Sequence, residues 1–337
     1  MEKRIDLHKV ERGTLRPPSE AKSLIVRVVR NCPWNRCLFC PGYKGQKFSL
    51  REVDEIKNDL IQLAKENNPE EIKTLFLQDA DAIIMPVDKL MEVIRFCKQT
   101  FPFLDRITAY ARSNTLLHKK VSELEQLKNA GLSRIHVGVE SGCDEVLAYI
   151  QKGTTSEKQL KGCKNVKEAG LELCCYVMPG LGGRKFSEQH AIDTGKLIAA
   201  IEPDHVRFRT CFVLENTPLA IEYNEGRFIP VDEEGITKEI RVFLNELKGK
   251  NIEIISDHRI NLLFELRGQL PQDYDRMIGI IDKFLSLSPN EKRLFIAGRR
   301  TGLIRNLDEL TGEKRKSIEE AEKKYKPVFP VPQSMLY

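Results

Sequence analysis

The sequence predicts an α/β fold in which a mostly parallel sheet alternates with helices. Six short apolar runs with the composition of β-strands alternate with segments whose apolar residues recur at helical spacing. Polar residues or glycines follow most of these predicted strands, as expected where the ends of parallel strands carry a shared site. Three cysteines stand close together directly after the first predicted strand, so the chemistry is expected to begin there.

Composition sets broad limits on the protein. The 337 residues suffice for one large core, alone or with a small appendage. A charged fraction of 31%, a hydrophobic fraction of 41% and a net charge of +5 describe an ordinary globular protein and favour no particular anionic partner. No apolar run approaches the roughly 18 residues of a membrane span, and the first residues lack the apolar stretch of a signal peptide. We therefore predict a cytoplasmic protein without a membrane partner, and its nine cysteines, an odd count, do not suggest a disulfide framework.

The predicted elements follow a polar lead-in, residues 1–22, which is expected to wrap the domain. A β-branched run predicts the first strand over 23–31, and helical spacing of apolar residues predicts the first helix over 50–67. Glycines at 131 and 170 are expected to end helices as C-caps. The remaining units repeat this alternation: strand 74–79, helix 86–100, strand 106–113, helix 118–130, strand 134–141, a helical region split near Gly153, strand 172–178, helix 187–201 and strand 205–214.

Beyond about residue 225 the alternation changes. Helices are predicted over 231–250, 272–287 and 291–299, with a strand over 252–256. A charged tail and the proline-rich residues 327–332 are expected to form an extended strap. The predicted organisation is a lead-in (1–22), a core (23–225) and a mostly helical C-terminal extension (226–337).

The cysteines of the triad, Cys32, Cys37 and Cys40, are predicted metal ligands. Three soft thiolates so close in sequence can share one iron–sulfur cluster or one zinc. No fourth Cys or His stands beside them at ligand spacing, so one metal position is left open for a small molecule. The alternative is a zinc site completed by a distant His or a partner chain, in a nucleic-acid-binding or interaction module.

The triad ends Cys-x-aromatic-Cys, with Phe39 before the last cysteine, and resembles that of the radical S-adenosylmethionine (SAM) enzymes. Their usual pattern is C-x3-C-x2-C, whereas this chain has C-x4-C-x2-C. Residues 138–142 (GVESG) resemble those at the same place in the branch that includes coproporphyrinogen oxidase-like and Elongator-type proteins. Residues 16–21 and 187–191 resemble the corresponding residues of an uncharacterised subfamily. The resemblance covers roughly residues 20–225 and implies a partial (β/α)6 TIM-like barrel of the radical SAM type, which the C-terminal extension closes.

The resemblance also implies cofactors and an activity. In this family the cysteine triad holds a [4Fe–4S] cluster, and SAM binds the fourth iron through its amino and carboxylate groups. Reductive cleavage of SAM then gives a 5′-deoxyadenosyl radical, which abstracts hydrogen from the substrate. We therefore expect an enzyme that acts on a small molecule, with a reducing partner such as flavodoxin or ferredoxin. A radical SAM enzyme that modifies tRNA is the alternative.

Residues after the second and third predicted strands are candidate SAM ligands. Asp79, with Asp81 behind it, stands where the family holds the amino group of SAM, and a carboxylate suits an ammonium. Asp81 can instead cap the following helix. Arg112 can grip the SAM carboxylate through a bidentate pair or serve as a structural ion-pair partner.

Residues after the fourth and fifth strands complete the predicted cofactor site. Glu140 and Ser141 can contact the amino, carboxylate or ribose groups of SAM, beside glycines that let a ligand approach the backbone. Gly180 and Gly182 belong to the turn that the family packs against adenine. A phosphate loop is the competing interpretation of this turn, but the Lys-Ser/Thr ending of a Walker motif is absent.

Three residues are candidates for the substrate side of the site. Arg207 and Arg209 alternate along the sixth predicted strand and would share a face. They favour an anionic substrate if that face is the barrel interior and are merely solvated if it is the helix side. His258, in Ser256-Asp257-His258, can donate a proton over the barrel mouth or form a structural pair with Asp257.

Overall fold

The computed structural model describes residues 9–13, 15–310, 312, 314–325 and 330–332. The chain divides into two compact units. The first comprises residues 1–35, 42–138 and 161–174, and the second comprises residues 36–41, 139–160 and 175–337.

Short strands alternate with helices along the described part of the chain, as the sequence predicts. The strands are β1 (Leu24–Arg27), β2 (Val29–Arg30), β3 (Ser49–Leu50), β4 (Thr74–Gln78), β5 (Arg106–Ala111), β6 (Leu132–Glu140), β7 (Glu172–Val177), β8 (His205–Phe208), β9 (Glu253–Ile255) and β10 (Arg267–Gln269). The helices are α1 (Val53–Glu66), α2 (Val87–Thr100), α3 (Ser113–His118), α4 (Val121–Ala130), α5 (Asp144–Tyr149), α6 (Ser156–Glu168), α7 (Gly183–Ile201), α8 (Pro218–Asn224), α9 (Glu233–Glu246), α10 (Tyr274–Ser286), α11 (Pro289–Arg300) and α12 (Lys314–Lys324).

The main sheet is mostly parallel. In the first unit β1, β4, β5 and β6 pair side by side in parallel, while β2 and β3 form a separate antiparallel ribbon. In the second unit β9 pairs in parallel with β8 and antiparallel with β10. The strand order β1-β4-β5-β6-β7-β8-β9-β10 confirms the predicted α/β class, since consecutive parallel strands need helical crossovers between them.

The first unit buries the apolar faces of its helices and a charged group. Ile56, Leu60 and Leu90 lie on those faces and are fully buried. Glu20, at the end of the lead-in, is fully buried as well and lies 3.1 Å from His136 Nε2. Glu20 therefore packs as part of this unit, while the prediction that the lead-in wraps the domain stays a prediction.

The second unit contains the described residues from 175 onward. Helix α9 buries Ile236, Ile240 and Phe243 along one face, which is the spacing of an amphipathic helix. Near the C-terminus, Val331 forms an isolated parallel bridge with Leu214. The predicted strap thus pairs with the chain at Val331, whereas residues 326–329 and 333–337 lie outside the described residues.

Several predicted boundaries shift for identifiable reasons. The sixth predicted strand stops at Phe208, because Thr210 N–H and its hydroxyl both donate to the side chain of Asn261 (3.1 Å each) instead of joining a ladder. The third predicted strand stops at Ala111, and α3 begins within its predicted end. Helix α8 was not predicted, although Thr217 caps it and Pro218 occupies its first turn. The charged tail forms helix α12.

None of the described helices is both long and apolar enough to cross a membrane.

Candidate cofactor site

Two asparagines shape the chain on either side of Cys32. Asn31 and Asn35 have positive φ angles of 64° and 51°, which Asn tolerates better than most residues. The Asn31 amide donates to Lys47 O at 2.6 Å, and the Asn35 amide donates to Tyr43 O at 2.5 Å. These two side chains therefore hold the start of the cysteine loop in the first unit.

The C-x2-C half of the triad is anchored by Leu38 in the second unit. Leu38 N–H donates to Ile150 O at 2.9 Å, and Leu219 N–H donates to Leu38 O at 3.0 Å. The Leu38 side chain is buried in a cluster with Val213, Leu219 and Phe228. Cys37 and Cys40 thus flank a residue that both backbone bonds and apolar packing fix in place.

The triad thiols differ from most other cysteines of the chain in their exposure. Cys32, Cys37 and Cys40 are partly exposed and are not in disulfides. Five further cysteines are buried and pack as small hydrophobic residues: Cys97, Cys143, Cys163, Cys174 and Cys175. Cysteine binds a metal as its thiolate, and apolar burial, which the three triad cysteines lack, disfavours the thiolate.

The triad suits an iron–sulfur cluster by its chemistry, since three accessible sulfur donors leave one iron open. Among the residues that the structure describes, no three His, Cys, Asp or Glu side chains converge as metal ligands would. The fit of the cluster therefore rests on the donor set and on its spacing in the sequence.

Asp79 is fully buried directly after β4 and already has two partners. Tyr43 donates its hydroxyl proton to Asp79 Oδ1, and Arg27 Nη2 lies 2.9 Å from Oδ2. Burial raises the pKa of Asp79, although both partners act in the opposite direction. Gly13 covers the same carboxylate so closely that an added Cβ would lie 2.6 Å from Oδ2. The structure thus places Asp79 beneath the lead-in.

Asp81 is fully buried and serves the start of α3. Its carboxylate accepts hydrogen bonds from Arg112 N–H at 3.2 Å and from the Thr115 hydroxyl at 2.5 Å. Burial raises its pKa to about 6 despite these bonds. Asp81 thus supports the start of α3 and not the helix that follows it in the chain, and its role beside SAM stays a prediction.

Arg112 directly follows β5 and lies over an aromatic ring. Its guanidinium carbon is 5.5 Å from the centroid of Trp34, within reach of a cation–π interaction. Trp34 is two residues after Cys32. Sequence reasoning missed Trp34 and Tyr43, although aromatic residues within the cysteine loop could have drawn attention to both.

Glu140 ends β6 in a conformation that is unusual for its residue type. Its φ angle is 65°, and such strain in a non-glycine residue is frequent at functional sites. Lys152 Nζ lies 3.1 Å from its carboxylate and 5.8 Å from the centroid of the Phe39 ring. Lys152 therefore brings Glu140 and Phe39 together, and sequence reasoning missed it.

Ser141 is fully buried, and its hydroxyl has two neighbours. Its Oγ lies 2.8 Å from His190 Nδ1 and accepts from Cys143 N–H at 3.0 Å. Burial lowers the pKa of His190 to about 4, so the ring is neutral at pH 7. His190 Nε2 is 3.1 Å from Met178 O and must carry the ring proton, which leaves Nδ1 to accept from Ser141.

The glycines after β7 form a buried turn. Gly180 has a φ angle of 86°, and a Cβ there would lie 3.3 Å from Ile236. Gly182 caps α7, where a Cβ would lie 3.1 Å from the backbone of Phe186. Both glycines thus pack against atoms of the chain itself on the side that a side chain would occupy.

Glu239 of α9 contacts this turn and was missed by sequence reasoning. Its carboxylate accepts from Gly180 N–H at 2.6 Å and from the Ser187 hydroxyl at 2.5 Å. Burial raises its pKa to about 7, although both hydrogen bonds favour the ionised form. Only its position in the amphipathic pattern of α9, which turns it toward the core, could have indicated its role.

The three residues predicted on the substrate side differ in charge and in whether an opposite charge pairs with them. Arg207 is buried and ion-paired with Asp257. Arg209 follows the end of β8, is half-buried, and has no ion pair within the described ranges. His258 is buried; desolvation and the nearby charges of Arg209 and Arg259 lower its pKa to about 3, so it is neutral at pH 7. Arg209 thus lies near enough to His258 for its charge to disfavour protonation of the ring.

Comparison with known proteins identifies the family. A family model described as the radical SAM superfamily matches residues 26–194, half of the chain. A tRNA uridine(34) acetyltransferase of Methanocaldococcus jannaschii is 22% identical over 245 residues, which are 60% of this chain and 44% of the relative. A biotin synthase of Clostridium perfringens is 25% identical over 217 residues, 61% of this chain and 60% of the relative. The chain therefore spans only about half the length of such relatives.

A solved structure shows the same fold. Coproporphyrinogen III oxidase from Escherichia coli, a radical SAM enzyme, superposes with a TM-score of 0.51 at 17% identity, over 66% of this chain and 52% of that one. This likeness supports the partial barrel predicted from the sequence. The cysteine triad, the α/β fold and the family match agree, and the chain belongs to the radical SAM superfamily, whose enzymes use a [4Fe–4S] cluster and SAM.

Proposed function

We propose that this chain binds a [4Fe–4S] cluster through Cys32, Cys37 and Cys40 and cleaves SAM reductively to act on an anionic small molecule. The accessible C-x4-C-x2-C triad inside the family-matched region carries the proposal. When bound and reduced, such a cluster supplies the electron for SAM cleavage, which generates a 5′-deoxyadenosyl radical. The protein contributes binding, orientation and exclusion of water.

The cofactor-binding residues of the proposal are those at the ends of β4 to β7. Arg112, held by Trp34, offers two parallel N–H donors to the SAM carboxylate. Glu140 offers a carboxylate to the amino group. Ser141, through His190, helps to fix the chain after Glu140.

The other residues of the proposed SAM site provide packing surfaces or hold neighbouring side chains in place. Phe39 contributes an aromatic face beside the last cysteine, and the turn with Gly180 and Gly182 receives the adenine. Asp79 is already paired with Arg27 and Tyr43, so it contributes by orienting these two side chains.

The substrate class rests on the uncompensated arginine. Arg209 has no ion pair within the described residues, whereas the charge of Arg207 is matched by Asp257. A half-buried guanidinium favours a carboxylate or phosphate group. His258 is neutral at pH 7 and accepts from Ile260 N–H at Nδ1 (3.3 Å), which leaves its Nε2–H to donate to substrate. We place the enzyme in the cytoplasm with a flavodoxin or ferredoxin as electron donor.

The direct test uses anaerobically purified protein reconstituted with iron and sulfide. We expect an EPR signal after dithionite reduction that shifts when SAM is added, together with formation of 5′-deoxyadenosine. Replacing any one of Cys32, Cys37 or Cys40 by Ala should reduce SAM cleavage to background, because each removes a cluster ligand.

The matched control is Cys97→Ala, which removes a thiol buried in α2 and should leave cleavage at the parent rate. A triad variant that still cleaves SAM at the parent rate would contradict the assignment of these cysteines as cluster ligands. Stoichiometric zinc in place of a cluster would instead support the alternative, a nucleic-acid-binding or interaction module with a zinc site.

Modification of a tRNA is the second candidate function. The observation in its favour is the similarity to the tRNA uridine(34) acetyltransferase, which spans 60% of this chain. RNA that co-purifies with the protein and is lost as salt rises would favour it, since phosphate contacts release counterions. Purification without RNA, and 5′-deoxyadenosine formation stimulated by an anionic small molecule, would favour the first candidate.

A further inference from the structure

Helix α9 contacts the glycine turn through two residues of one face. Ile236 and Glu239 are three positions apart and therefore lie on the same side of the helix. Ile236 covers the Cα of Gly180, since a Cβ there would lie 3.3 Å from its side chain. Glu239 Oε2 accepts from the N–H of the same glycine at 2.6 Å. Backbone and Cα of Gly180 are thus both held by α9.

The other end of this contact is fixed on α7. Glu239 Oε1 accepts from Ser187 in the first half of α7. Farther along, α7 and α9 pack so closely that a Cβ at Gly195 would lie 2.6 Å from the Glu246 side chain. Helix α9 is therefore held firmly on α7, and the Glu239 carboxylate bridges the turn and the helix after it.

The carboxyl group of Glu239 is buried without a cationic partner among the described residues. Its side chain is almost fully buried, and both described hydrogen-bond donors to it are neutral. No cation forms an ion pair with it in the part of the chain that the structure describes. The titratable group that faces it is the Cys211 thiol, whose pKa it helps to raise. Burying a carboxyl group that has no cationic partner is unfavourable, so a role beyond packing is expected.

We propose that Glu239 is a positioning residue that holds the turn at Gly180 in the conformation that receives SAM. Helix α9 lies beyond residue 194, where the family match ends. The affinity for SAM therefore depends on the C-terminal part of the chain as well as on the family core. This inference rests on the proposed function, because it takes the turn to be part of the SAM site.

Two substitutions separate the effect of the length of the Glu239 side chain from the effect of its charge. Glu239→Asp keeps the charge but shortens the side chain by one methylene, which moves the carboxylate away from Gly180 N–H. Glu239→Gln keeps the length, so its oxygen can still accept from Gly180 while its amide donates to Ser187. Glu246→Gln removes a charge from the same helix, two helical turns after Glu239, and serves as the matched control.

The first readout needs no cofactor. In cluster-free protein, hydrogen exchange of the Gly180 amide should be about tenfold faster in Glu239→Asp, as the loss of one hydrogen bond predicts, and near the parent rate in Glu239→Gln and Glu246→Gln. In reconstituted protein, SAM affinity measured by equilibrium binding should weaken about tenfold in Glu239→Asp and stay within about twofold in the other two variants.

The outcomes separate the inference from the function on which it rests. Unchanged Gly180 exchange in Glu239→Asp, or a Glu239→Gln variant as impaired as Glu239→Asp, would overturn the positioning role. Faster exchange with unchanged SAM affinity would show that the turn is held by Glu239 but does not receive SAM, which also overturns it. If the parent protein binds no SAM at all, the proposed function fails, whatever the exchange rates show.

Discussion

Buried charges in the first unit are held by partners that the lead-in and the sheet supply together. Glu20 accepts from Ser23 at 2.6 Å and lies 3.1 Å from His136, with Arg106 at 3.3 Å. Burial alone would raise the pKa of Glu20, but these hydrogen bonds and charges outweigh it and lower the pKa to about 2. An acid with a depressed pKa stabilises the folded state in its ionised form.

We expect Glu20→Gln to destabilise the protein by about 3 kcal/mol at pH 7, the free energy that corresponds to a pKa lowered from 4.5 to about 2. Because the ordinary pKa of Glu is near 4.5 and that of Glu20 is about 2, the stabilisation is complete above pH 4.5 and is lost as pH falls toward 2. The difference in unfolding free energy between parent and variant should therefore shrink across that window. Urea unfolding at several pH values measures it.

The control for this change is Glu70→Gln, which removes an exposed carboxylate of the same unit and should change the free energy of unfolding little at any pH. A Glu20→Gln variant as stable as the parent at pH 7 would show that the buried pair is dispensable.

The cysteine triad and the strand-end candidates follow from residue type and spacing, and they could be named from the sequence. Their partners could not. Lys152, Trp34 and Glu239 are ordinary residues in the sequence, and only the fold brings them to Glu140, Arg112 and Gly180. Nor could the sequence show that Asp257 compensates the charge of Arg207, since the two are far apart along the chain.

At the scale of elements, small residues decide how closely helices approach. Gly162 of α6 faces α3, and an added Cβ would lie 2.5 Å from Ser113 O and 2.9 Å from Leu117 N. Both are backbone atoms, so they cannot rotate away. Gly279 of α10, in contrast, has nothing within 4 Å of an added Cβ.

These two glycines give opposite predictions for the same substitution. Gly162→Ala should destabilise the protein by about 1–3 kcal/mol, because a backbone shift must make room for the methyl group. Gly279→Ala should stabilise it by about 0.5–1 kcal/mol, since Ala is the better helix former. Chemical denaturation of both variants tests the pair. A stabilised Gly162→Ala variant would mean that α3 and α6 pack less tightly than the structure shows.

Helices and strands with long periodic patterns were predicted well, and the differences concern short or locally capped elements. Helix α3 interrupts the predicted end of a strand because the Asp81 carboxylate, distant in sequence, caps its start. Strand β8 is short because Asn261 takes the hydrogen bonds of Thr210. Both differences come from contacts between distant residues, which local periodicity does not contain.

At the scale of the whole molecule, the segment 226–337 is integrated with the rest of the second unit. Strand β9 pairs with β8, and α9 buries Ile236, Ile240 and Phe243. The three-part organisation predicted from the sequence stays a prediction, but these contacts argue against a separable C-terminal domain.

We expect a fragment that ends at residue 225 to fold poorly. It would leave β8 unpaired at one edge and would lose the burial of three large side chains on α9, each worth about 2 kcal/mol. Soluble yield and the cooperativity of thermal unfolding, followed by circular dichroism, measure this. A soluble fragment with a sharp transition would establish residues 226–337 as an independent addition.

The bridge between Val331 and Leu214 has a consequence for self-association. Val331 N–H donates to Val213 O at 2.7 Å, and Glu215 N–H donates to Val331 O at 3.0 Å, so Val331 uses both backbone groups on one neighbour. The residues on either side are Pro330 and Pro332, which have no backbone N–H to offer. A strand of a second molecule therefore finds no free backbone N–H donor at these three residues. This edge is thus protected against aggregation by strand pairing.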